Sequence, residues 1–323
     1  MQARTENHPT APPIYGGIEA GGTKWVCAAG TAPDGVLETA TIPTTSPAET
    51  IARAAAFFAR HSDIVTVGVG SFGPLDLRRS SPTWGHITTT PKQGWSGTDV
   101  AGELARALGV PVALDTDVNV AALAEHRWGA AVGLGTFCYI TVGTGIGGGA
   151  LVDGELLHGL IHPEFGHMRV PHDRERDPFA GACPYHGDCL EGLASGHAIR
   201  MRWGVGGEEA DDARVWELEA EYLALGVVNV TSVLSPERVV IGGGVMQQPT
   251  LLPRIRRRVG ELLGGYFGAP ALAGDLATYI VPPALGARAG SLGALELARL
   301  ARAPGDDDGA GMAAPESLRR RKT

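Results

Sequence analysis

Residues 14–30 read IYGGIEAGGTKWVCAAG, which is an apolar strand, a Gly-Gly-Thr-Lys turn and a second apolar strand. This order predicts a β-hairpin, and a similar pattern returns in residues 137–152, FCYITVGTGIGGGALV. A glycine-rich hairpin that recurs near the middle of the chain indicates two related domains that face each other. Each turn offers backbone N–H groups, and the first adds the Thr23 hydroxyl and the Lys24 ammonium, which are donors for phosphate.

The chain between the two hairpins alternates helix and strand. Helical spacing of apolar residues over 47–61 is followed by a buried strand at 64–71, an order typical of α/β domains. Asp115, Asp117 and Asn119 then follow a short strand, at the position where α/β folds present catalytic groups. Asp117 also precedes a helix, so its alternative role is that of a helix N-cap. For Asp115 we prefer the structural interpretation.

A third glycine cluster, Gly242–Gly244, follows the predicted strand 238–241. Together with Thr144 and Gly145 in the second hairpin turn, this cluster predicts a clamp for a nucleotide. The alternative is that all of these glycines only permit tight turns. The turns do not have the spacing of a Walker loop, because G-x-x-x-x-G-K is missing.

Residues 162–191, HPEFGHMRVPHDRERDPFAGACPYHGDCLE, contain a metal-ligand pattern. The candidate ligands are His167, Cys183, His186 and Cys189. A C-x-x-H-x-x-C array with one more histidine upstream predicts a closed tetrahedral zinc site, the alternative being free thiols and surface histidines in a polar loop. Glu164 and Glu191 flank the ligands. A bound metal would therefore hold two carboxylates in a rigid, acceptor-rich group that suits a polyhydroxylated ligand.

The composition excludes several classes of protein. The chain has 323 residues, 44% of them hydrophobic and 19% charged, which describes a globular protein large enough for two domains. A formal net charge of −8 argues against nucleic acid as the partner. Residues 1–13 lack the apolar core of a signal peptide and no run is long enough to span a bilayer, so we expect a cytoplasmic protein without a membrane partner. Cys27 and Cys138 lie in apolar runs and are predicted core thiols.

Six motifs follow one another along the chain in a fixed order. They are GIEAGGTK at 17–24, TDVNVAA at 116–122, GTGIGGG at 143–149, PEFGH at 163–167, CPYHGDCLE at 183–191 and GGGVM at 242–246. This ordered set resembles that of the ROK family of sugar kinases, and within the family it is most similar to the bacterial ATP-dependent fructokinases. The resemblance covers residues 14–302.

The resemblance implies a two-lobed α/β fold, actin-like and hexokinase-like, of the ribonuclease H-like class of ATPases, with a zinc-binding loop at 162–191. The expected division is a disordered tail at 1–13, a small N-terminal lobe at 14–122, a large C-terminal lobe at 123–289, a closing helix at 290–303 that packs back on the N-terminal lobe, and a disordered tail at 304–323. The implied activity is phosphorylation of fructose by ATP with Mg²⁺. A homodimer is expected.

The resemblance also implies roles for individual residues. Asp117 becomes the general base that accepts the proton of the sugar 6-hydroxyl. The implied sugar ligands are Gly73, Asn119, Glu164, His167 and Glu191. The implied nucleotide or phosphate contacts are Gly21, Gly22, Thr23, Lys24, Thr144, Gly145, Gly243 and Gly244. Valine at Gly145 or Gly243 is therefore expected to weaken ATP binding far more than sugar binding.

Three positions depart from the family pattern. His186 replaces a cysteine of the metal motif, Thr116 replaces the usual asparagine before the catalytic aspartate, and Glu19 replaces an aspartate near the first turn. Tetrahedral zinc accepts two cysteines and two histidines, so the metal prediction stands. We expect this zinc to be structural and to orient His167, with one imidazole nitrogen on the metal and the other toward the sugar.

Three other functions compete with a fructokinase. A glucokinase or mannokinase of the same family differs only in its sugar. A sugar-responsive regulator in this family carries a helix-turn-helix domain ahead of the kinase-like region, whereas about a dozen residues precede the first hairpin here. A zinc-binding interaction module is expected to bind metal without turnover of ATP.

Overall fold

The computed structural model describes residues 12–302, except 208, 209 and 211. Most of the tail predicted at 1–13, and all of the tail predicted at 304–323, lie outside the described residues. Within the described part, ten strands form two five-stranded sheets, and eight α-helices pack on these sheets or cross between them. No helix among these residues combines the length and the apolar character needed to span a membrane.

The first sheet is built from residues 14–116. Its strands are β1 (Ile14–Ala20), β2 (Lys24–Thr31), β3 (Gly35–Pro43), β4 (Ile64–Ser71) and β5 (Val112–Thr116), and its helices are α1 (Pro47–Phe58) and α2 (Val100–Leu108). The strand order is β3-β2-β1-β4-β5. Both helices start at a capping side chain, Ser46 or Asp99, that accepts a backbone N–H three residues later. The core between helices and sheet surrounds Trp25 and Trp95, which have no exposed surface.

The second sheet is built from residues 137–281. Its strands are β6 (Phe137–Val142), β7 (Ile146–Val152), β8 (Glu155–Leu156), β9 (Arg238–Gly242) and β10 (Ile280–Val281), in the order β10-β9-β6-β7-β8. Its helices are α4 (Leu190–Ala194), α5 (Gly196–Trp203), α6 (Ala213–Leu234) and α7 (Leu251–Leu263). The 22-residue α6 buries Trp216 and Tyr222 among the core residues of this half.

The two sheets share one topology. In each, an antiparallel hairpin, β1–β2 or β6–β7, lies beside a strand that is parallel to its first member, β4 or β9. Both hairpins that the sequence predicts are therefore present. Because the glycine turns follow β1, β6 and β9, they emerge at the carboxyl edges of the sheets, where α/β folds bind ligands.

Two helices cross between the sheets: α3 (Asp117–Trp128) and α8 (Ala289–Ala301). α3 follows the first sheet and contacts β6 and β7 of the second, while α8 follows the second sheet and contacts β1 and β4 of the first. The close packing of α8 against β4 and against α3 requires glycines. A Cβ at Gly68 would overlap the Ala294 carbonyl, and one at Gly293 would overlap the Val120 carbonyl. The start of α3 thus lies where the two halves meet.

Glu125, near the C-terminal end of α3, connects the two crossing helices. Its side chain is fully buried on α3 and accepts backbone N–H groups from Ala130 at 2.6 Å, Ala284 at 3.0 Å and Leu285 at 2.9 Å. The last two residues belong to the segment that leads into α8. One buried carboxylate therefore ties both crossing helices together, with its charge satisfied by three donors.

The structure departs from the sequence prediction in three elements. The residue pattern over 192–202 predicts one helix, but the structure has two, because Ser195 ends α4 and caps α5 by accepting the Ala198 N–H. The sequence also predicts a strand and a turn over 279–286, and the structure confirms a two-residue strand that ends before the prolines at 282 and 283, which cannot donate to a strand ladder. Strands β3 and β8 are additions that the sequence analysis did not predict.

Candidate active site

Asp117 is the first residue of α3 and directly follows strand β5. The helix cap is its neighbour Thr116, whose hydroxyl oxygen accepts the Asn119 N–H at 3.1 Å. The Asp117 carboxylate accepts the adjacent Val118 N–H at 2.9 Å and is only partly exposed. The N-cap alternative for Asp117 therefore does not apply, and the threonine that replaces the family asparagine has a structural task.

The surroundings of Asp117 favour its neutral form. Burial raises the pKa of its carboxyl group to about 7, the negative charge of Glu19 raises it further, and the Val118 N–H opposes the shift. A carboxylate that titrates near neutral pH is a suitable general base, because it accepts a proton readily and is still ionised in a large fraction of molecules.

The first glycine turn connects β1 to β2 and lies next to Glu19. Its carbonyl groups are taken by Thr44, whose hydroxyl donates to Gly21 at 2.7 Å and whose N–H donates to Thr23 at 2.9 Å. A Cβ at Gly22 would meet no atom within 4 Å, so the space above the turn is open. The Lys24 side chain is exposed, and its charge opposes the rise that burial causes in the pKa of Glu19. This turn is open and cationic.

The second glycine turn connects β6 to β7 and is fastened to the start of α5. The Gly196 N–H donates to the Gly143 carbonyl at 2.7 Å, and the His197 N–H donates to the Thr144 carbonyl at 3.2 Å. The Ile146 N–H at the end of the turn donates to the Glu191 carboxylate at 2.9 Å.

Gly145 of this turn lies against the Glu191 carboxylate. A Cβ at Gly145 would lie 2.6 Å from Oε2 of Glu191, whereas a Cβ at Gly143 would meet nothing within 4 Å. Bulk at Gly145 would therefore displace Glu191. The expectation that Gly145→Val acts mainly on ATP does not follow from this geometry, and Gly143 is the cleaner position for that test.

The third glycine cluster follows β9. Gly243 has a positive φ of 102°, and a Cβ there would overlap the backbone of Val142. Valine at Gly243 would strain the backbone whatever ligand is present. Gly244 is exposed with open space around its Cβ direction, so it is the better position at which to test nucleotide contacts.

The predicted metal ligands converge. One ligand atom from each of His167, Cys183, His186 and Cys189 lies within 4.8 Å of the other three. Nδ1 of His167 is 3.5 Å from Sγ of Cys189, and Nδ1 of His186 is 3.6 Å from Sγ of Cys183. Zinc–nitrogen and zinc–sulfur bonds at a tetrahedral angle place N and S about 3.6 Å apart, so the donor set fits zinc. Since Nδ1 of His167 faces the sulfurs, its Nε2 points away from them.

A polar network around Asp188 also stabilises the metal loop. Asp188 accepts from Arg169 at 2.7 Å and from Arg174 at 2.6 Å, and its other contact is His172 at 3.2 Å. His172 in turn lies 2.9 Å from the Asp177 carbonyl. The loop is thus anchored by charge pairs as well as by the four candidate ligands.

Glu164 and Glu191 belong to the same acidic cluster as Asp117. Burial raises the pKa of Glu164 to about 7, and the negative charges of Glu191 and Asp117 raise it further. Glu191 also acts on His167, whose pKa burial lowers. The structure therefore brings three of the predicted site carboxylates and the predicted histidine into one neighbourhood.

Asn119 and Gly73 lie beside this cluster. The Asn119 side chain has no exposed surface, and its amide Nδ2 donates to Asp115 at 2.6 Å. Its Oδ1 is buried and has no hydrogen-bond partner among the described residues, so the contact with a sugar hydroxyl expected for Asn119 stays a prediction. A Cβ at Gly73 would lie 3.4 Å from Nε2 of His162, which places Gly73 at the edge of the site.

Sequence reasoning missed two histidines, His158 and His162. Nε2 of His158 lies 2.9 Å from Oδ2 of Asp115, and the Leu75 N–H donates to Nε2 of His162 at 3.0 Å. The only signal in the sequence was their position next to the PEFGH motif. Neither contact can be derived from spacing, because both join segments distant in the chain.

Comparison with known proteins places this arrangement in a family. The ROK family profile matches residues 15–301. A fructokinase from Zymomonas mobilis is 47% identical over 294 residues, which cover 88% of this chain and 96% of that protein. The ROK hexokinase from Thermus thermophilus has a TM-score of 0.72 at 30% identity and covers 89% of this chain and 98% of its own.

A ROK family glucokinase from Streptomyces griseus, solved in complex with glucose and AMPPNP, has a TM-score of 0.71 at 25% identity, over 89% of this chain and 99% of that one. These matches confirm the hexokinase-like α/β fold that the motifs predicted, and the convergence of the four candidate metal ligands confirms the predicted cluster. The chain belongs to the ROK family.

Proposed function

We propose that this chain transfers the γ-phosphoryl group of ATP to the 6-hydroxyl of D-fructose, giving fructose 6-phosphate. The observation that carries the proposal is Asp117, a carboxylate with a pKa near 7 that begins a crossing helix and neighbours Glu164. Identity of 47% to the Zymomonas mobilis fructokinase, against 25% to the Streptomyces griseus glucokinase, supports fructose over glucose.

In the proposed mechanism Asp117 is the general base. It accepts the proton of the 6-hydroxyl while the hydroxyl oxygen bonds to the γ-phosphorus and the bond to the β-phosphate oxygen breaks. The negative charge of Glu19 makes Asp117 more basic. Mg²⁺ bound with ATP neutralises phosphate charge, and Glu19 is the residue that would hold water on it.

The sugar site is proposed from residues around Asp117. Glu164 and Glu191 accept hydrogen bonds from sugar hydroxyls, His167 contributes its Nε2, and Gly73 contributes its backbone. Three carboxylates in one neighbourhood would repel a phosphate group, so the expected substrate is a neutral hexose.

The nucleotide site is proposed from the three glycine turns. Its residues are Gly21, Gly22, Thr23, Lys24, Thr144, Gly145, Gly243 and Gly244. Glycines let the backbone approach phosphates and adenosine closely, and the exposed Lys24 supplies a positive charge. Gly145 has a second task, because it leaves room for Glu191.

Zinc is proposed as the metal of the His167, Cys183, His186 and Cys189 cluster. Two thiolates and two imidazoles at tetrahedral separation suit zinc and leave no position open for a substrate, so its task would be structural. It would hold the ring of His167 with Nε2 directed away from the metal.

The two sheets are proposed to act as lobes that close around the ligands. The division is a small lobe at 14–122 and a large lobe at 123–289, with the helix at 290–303 returning to the small lobe; residue 303 lies outside the described part. Closure would exclude water that otherwise hydrolyses ATP. A homodimer in the cytoplasm completes the proposal, and sedimentation velocity tests the dimer.

A coupled assay of ADP release against fructose, glucose and mannose tests the function. We expect kcat/KM for fructose to exceed that for the other two sugars by at least about tenfold. Preference for glucose or mannose would make the chain a different sugar kinase of the same family. Zinc binding without ADP release on any hexose would instead support the interaction module, and sugar binding without turnover would support a regulator.

A further inference from the structure

The segment 157–164, between β8 and the short helical turn at Phe165–His167, carries the proposed sugar ligand Glu164. Its two histidines contact residues of the first half of the chain. His158 contacts Asp115 at the carboxyl end of β5, and His162 contacts the loop that follows β4 at Leu75. The segment belongs to the second half of the chain, so both contacts join it to the other half.

Asp115 links His158 to the catalytic helix. Its Oδ1 accepts the Thr116 N–H at 2.8 Å and the Asn119 amide at 2.6 Å, which leaves Oδ2 for His158 at 2.9 Å. The carboxylate is buried, while the His158 side chain is 40% exposed. One buried charge thus joins an exposed histidine to the residues on either side of Asp117.

His162 makes the opposite kind of contact. A backbone N–H can only donate, so Nε2 of His162 carries the lone pair that receives the Leu75 N–H. The proton is then on Nδ1, which lies 3.3 Å from the Pro163 carbonyl and 3.4 Å from the Glu164 carboxylate. His162 is therefore neutral, and its ring is held on both sides.

We propose that His158 and His162 are positioning residues that clamp the 157–164 segment to the first half of the chain and so deliver Glu164 to the sugar. The clamp rests on the proposed sugar site. His158 fixes the segment against the start of α3 through Asp115, and His162 fixes it against the loop that carries Gly73. Release of either end would leave Glu164 on a loosely held segment, which weakens sugar binding more than nucleotide binding.

The two histidines favour opposite protonation states. The hydrogen bond to Asp115, together with its charge, raises the pKa of His158, whereas burial lowers the pKa of His162 despite the nearby Pro163 carbonyl and Asp115. Two further charged groups act on His162: His158, whose charge also lowers the pKa of His162, and Glu164, whose carboxylate lies 3.4 Å from Nδ1. The contact of His158 weakens as pH rises through its raised pKa, because the neutral ring donates less strongly to Asp115, and that of His162 is lost as pH falls through its lowered pKa. Both contacts are therefore strongest between the lowered pKa of His162 and the raised pKa of His158.

The test is the set His158→Ala, His158→Gln and His162→Gln, each with KM for fructose, KM for ATP and kcat. We expect His158→Ala to raise KM for fructose about tenfold with KM for ATP within about twofold. The amide of His158→Gln can still donate to Asp115 without titrating, so it should restore KM at pH 6 and remove the rise of KM on the alkaline side. The oxygen of His162→Gln can accept the Leu75 N–H, and this variant should remove the rise on the acid side.

His61→Ala is the matched control, since it removes a histidine that lies 2.9 Å from a carboxylate, Glu38, at the end of α1. It should change neither KM. An unchanged KM for fructose in His158→Ala, or equal rises in both KM values with a lowered melting temperature, overturns the clamp. If the wild-type chain phosphorylates another hexose, the same ratios are measured with that sugar. If it phosphorylates none, calorimetric binding of fructose to the wild type and to His158→Ala decides the clamp separately from the activity.

Discussion

The two hairpin turns have the same backbone plan and different surroundings. Gly21–Lys24 accepts hydrogen bonds from Thr44 of its own half and presents an exposed ammonium. Gly143–Gly145 carries no charge and is fastened to α5 and to Glu191, a proposed sugar ligand. The two turns thus share a backbone plan, but the first presents a positive charge and the second packs against a carboxylate.

Because of this difference, substitutions of glycines at equivalent positions in the two turns test different properties of the site. A substitution in the first turn acts on charge and on access to open space. A substitution in the second turn acts through Glu191, because the carboxylate packs where a Cβ would lie. Mutations at the two turns should therefore separate ATP binding from the coupling of ATP and sugar sites.

The largest effect is expected at Asp117, the proposed general base. Asp117→Asn keeps the shape and should lower kcat by roughly 10² to 10⁴ with sugar binding little changed. The folded-state pKa of about 7 lies above the ordinary 3.8, so the ionised carboxylate destabilises the fold increasingly as pH rises toward 7. The variant should therefore melt higher than wild type at pH 8. Near wild-type turnover would remove Asp117 from the mechanism.

Loss of the metal cluster is expected to have the next largest effect, and this effect should be on the proposed sugar site beside the second turn. Cys189→Ser should lose zinc, measured by mass spectrometry of the purified protein, and raise KM for fructose by at least about tenfold, while KM for ATP changes little. The pairs around Asp188 should keep the rest of the loop in place. Tyr185→Ala, at an exposed non-ligand position in the same loop, is the control. A zinc-free variant with unchanged KM for fructose would contradict the structural role.

The pair Gly145→Ala and Gly143→Ala compares two positions of one turn. The added methyl at Gly145 meets Glu191, so KM for fructose should rise by about tenfold or less, whereas at Gly143 the methyl enters open space and should act on ATP alone. Equal effects of the two variants on both substrates would mean that the turn does not couple the sites.

The first turn is tested by Lys24→Met, which removes the ammonium and keeps the chain length. KM for ATP should rise by several-fold to about tenfold, more at low salt, while KM for fructose stays unchanged. Lys92→Met is a matched control, because this lysine contacts the Thr44 carbonyl at 3.4 Å and lies on another loop. A similar rise in both variants would assign the effect to general positive charge.

Much of this arrangement follows from local pattern. The hairpins, the buried strand at 64–71 and α7 follow from periodicity and turn residues, and the C-x-x-H-x-x-C spacing brings three metal ligands together within one loop. The contacts around the proposed sugar site do not follow from local sequence pattern. The burial of Asn119 and the bond between His162 and Leu75 depend on how two distant halves pack, and no short-range spacing contains that information.

The smallest expected effect is a shift in the pH dependence of kcat/KM. Because Asp117 must be ionised to act as a base, kcat/KM should rise about tenfold between pH 6 and pH 8 and level off above the pKa near 7. Glu19, which lies near the end of the first strand and next to the first turn, raises that pKa by its charge. Glu19→Gln should therefore shift the rise to lower pH, whereas Glu191→Gln, beside the second turn, should act mainly through sugar binding. A rise that stays at the same pH in Glu19→Gln would show that the titrating group is not Asp117, and would leave Glu164, whose pKa is also near 7, as the group to test next.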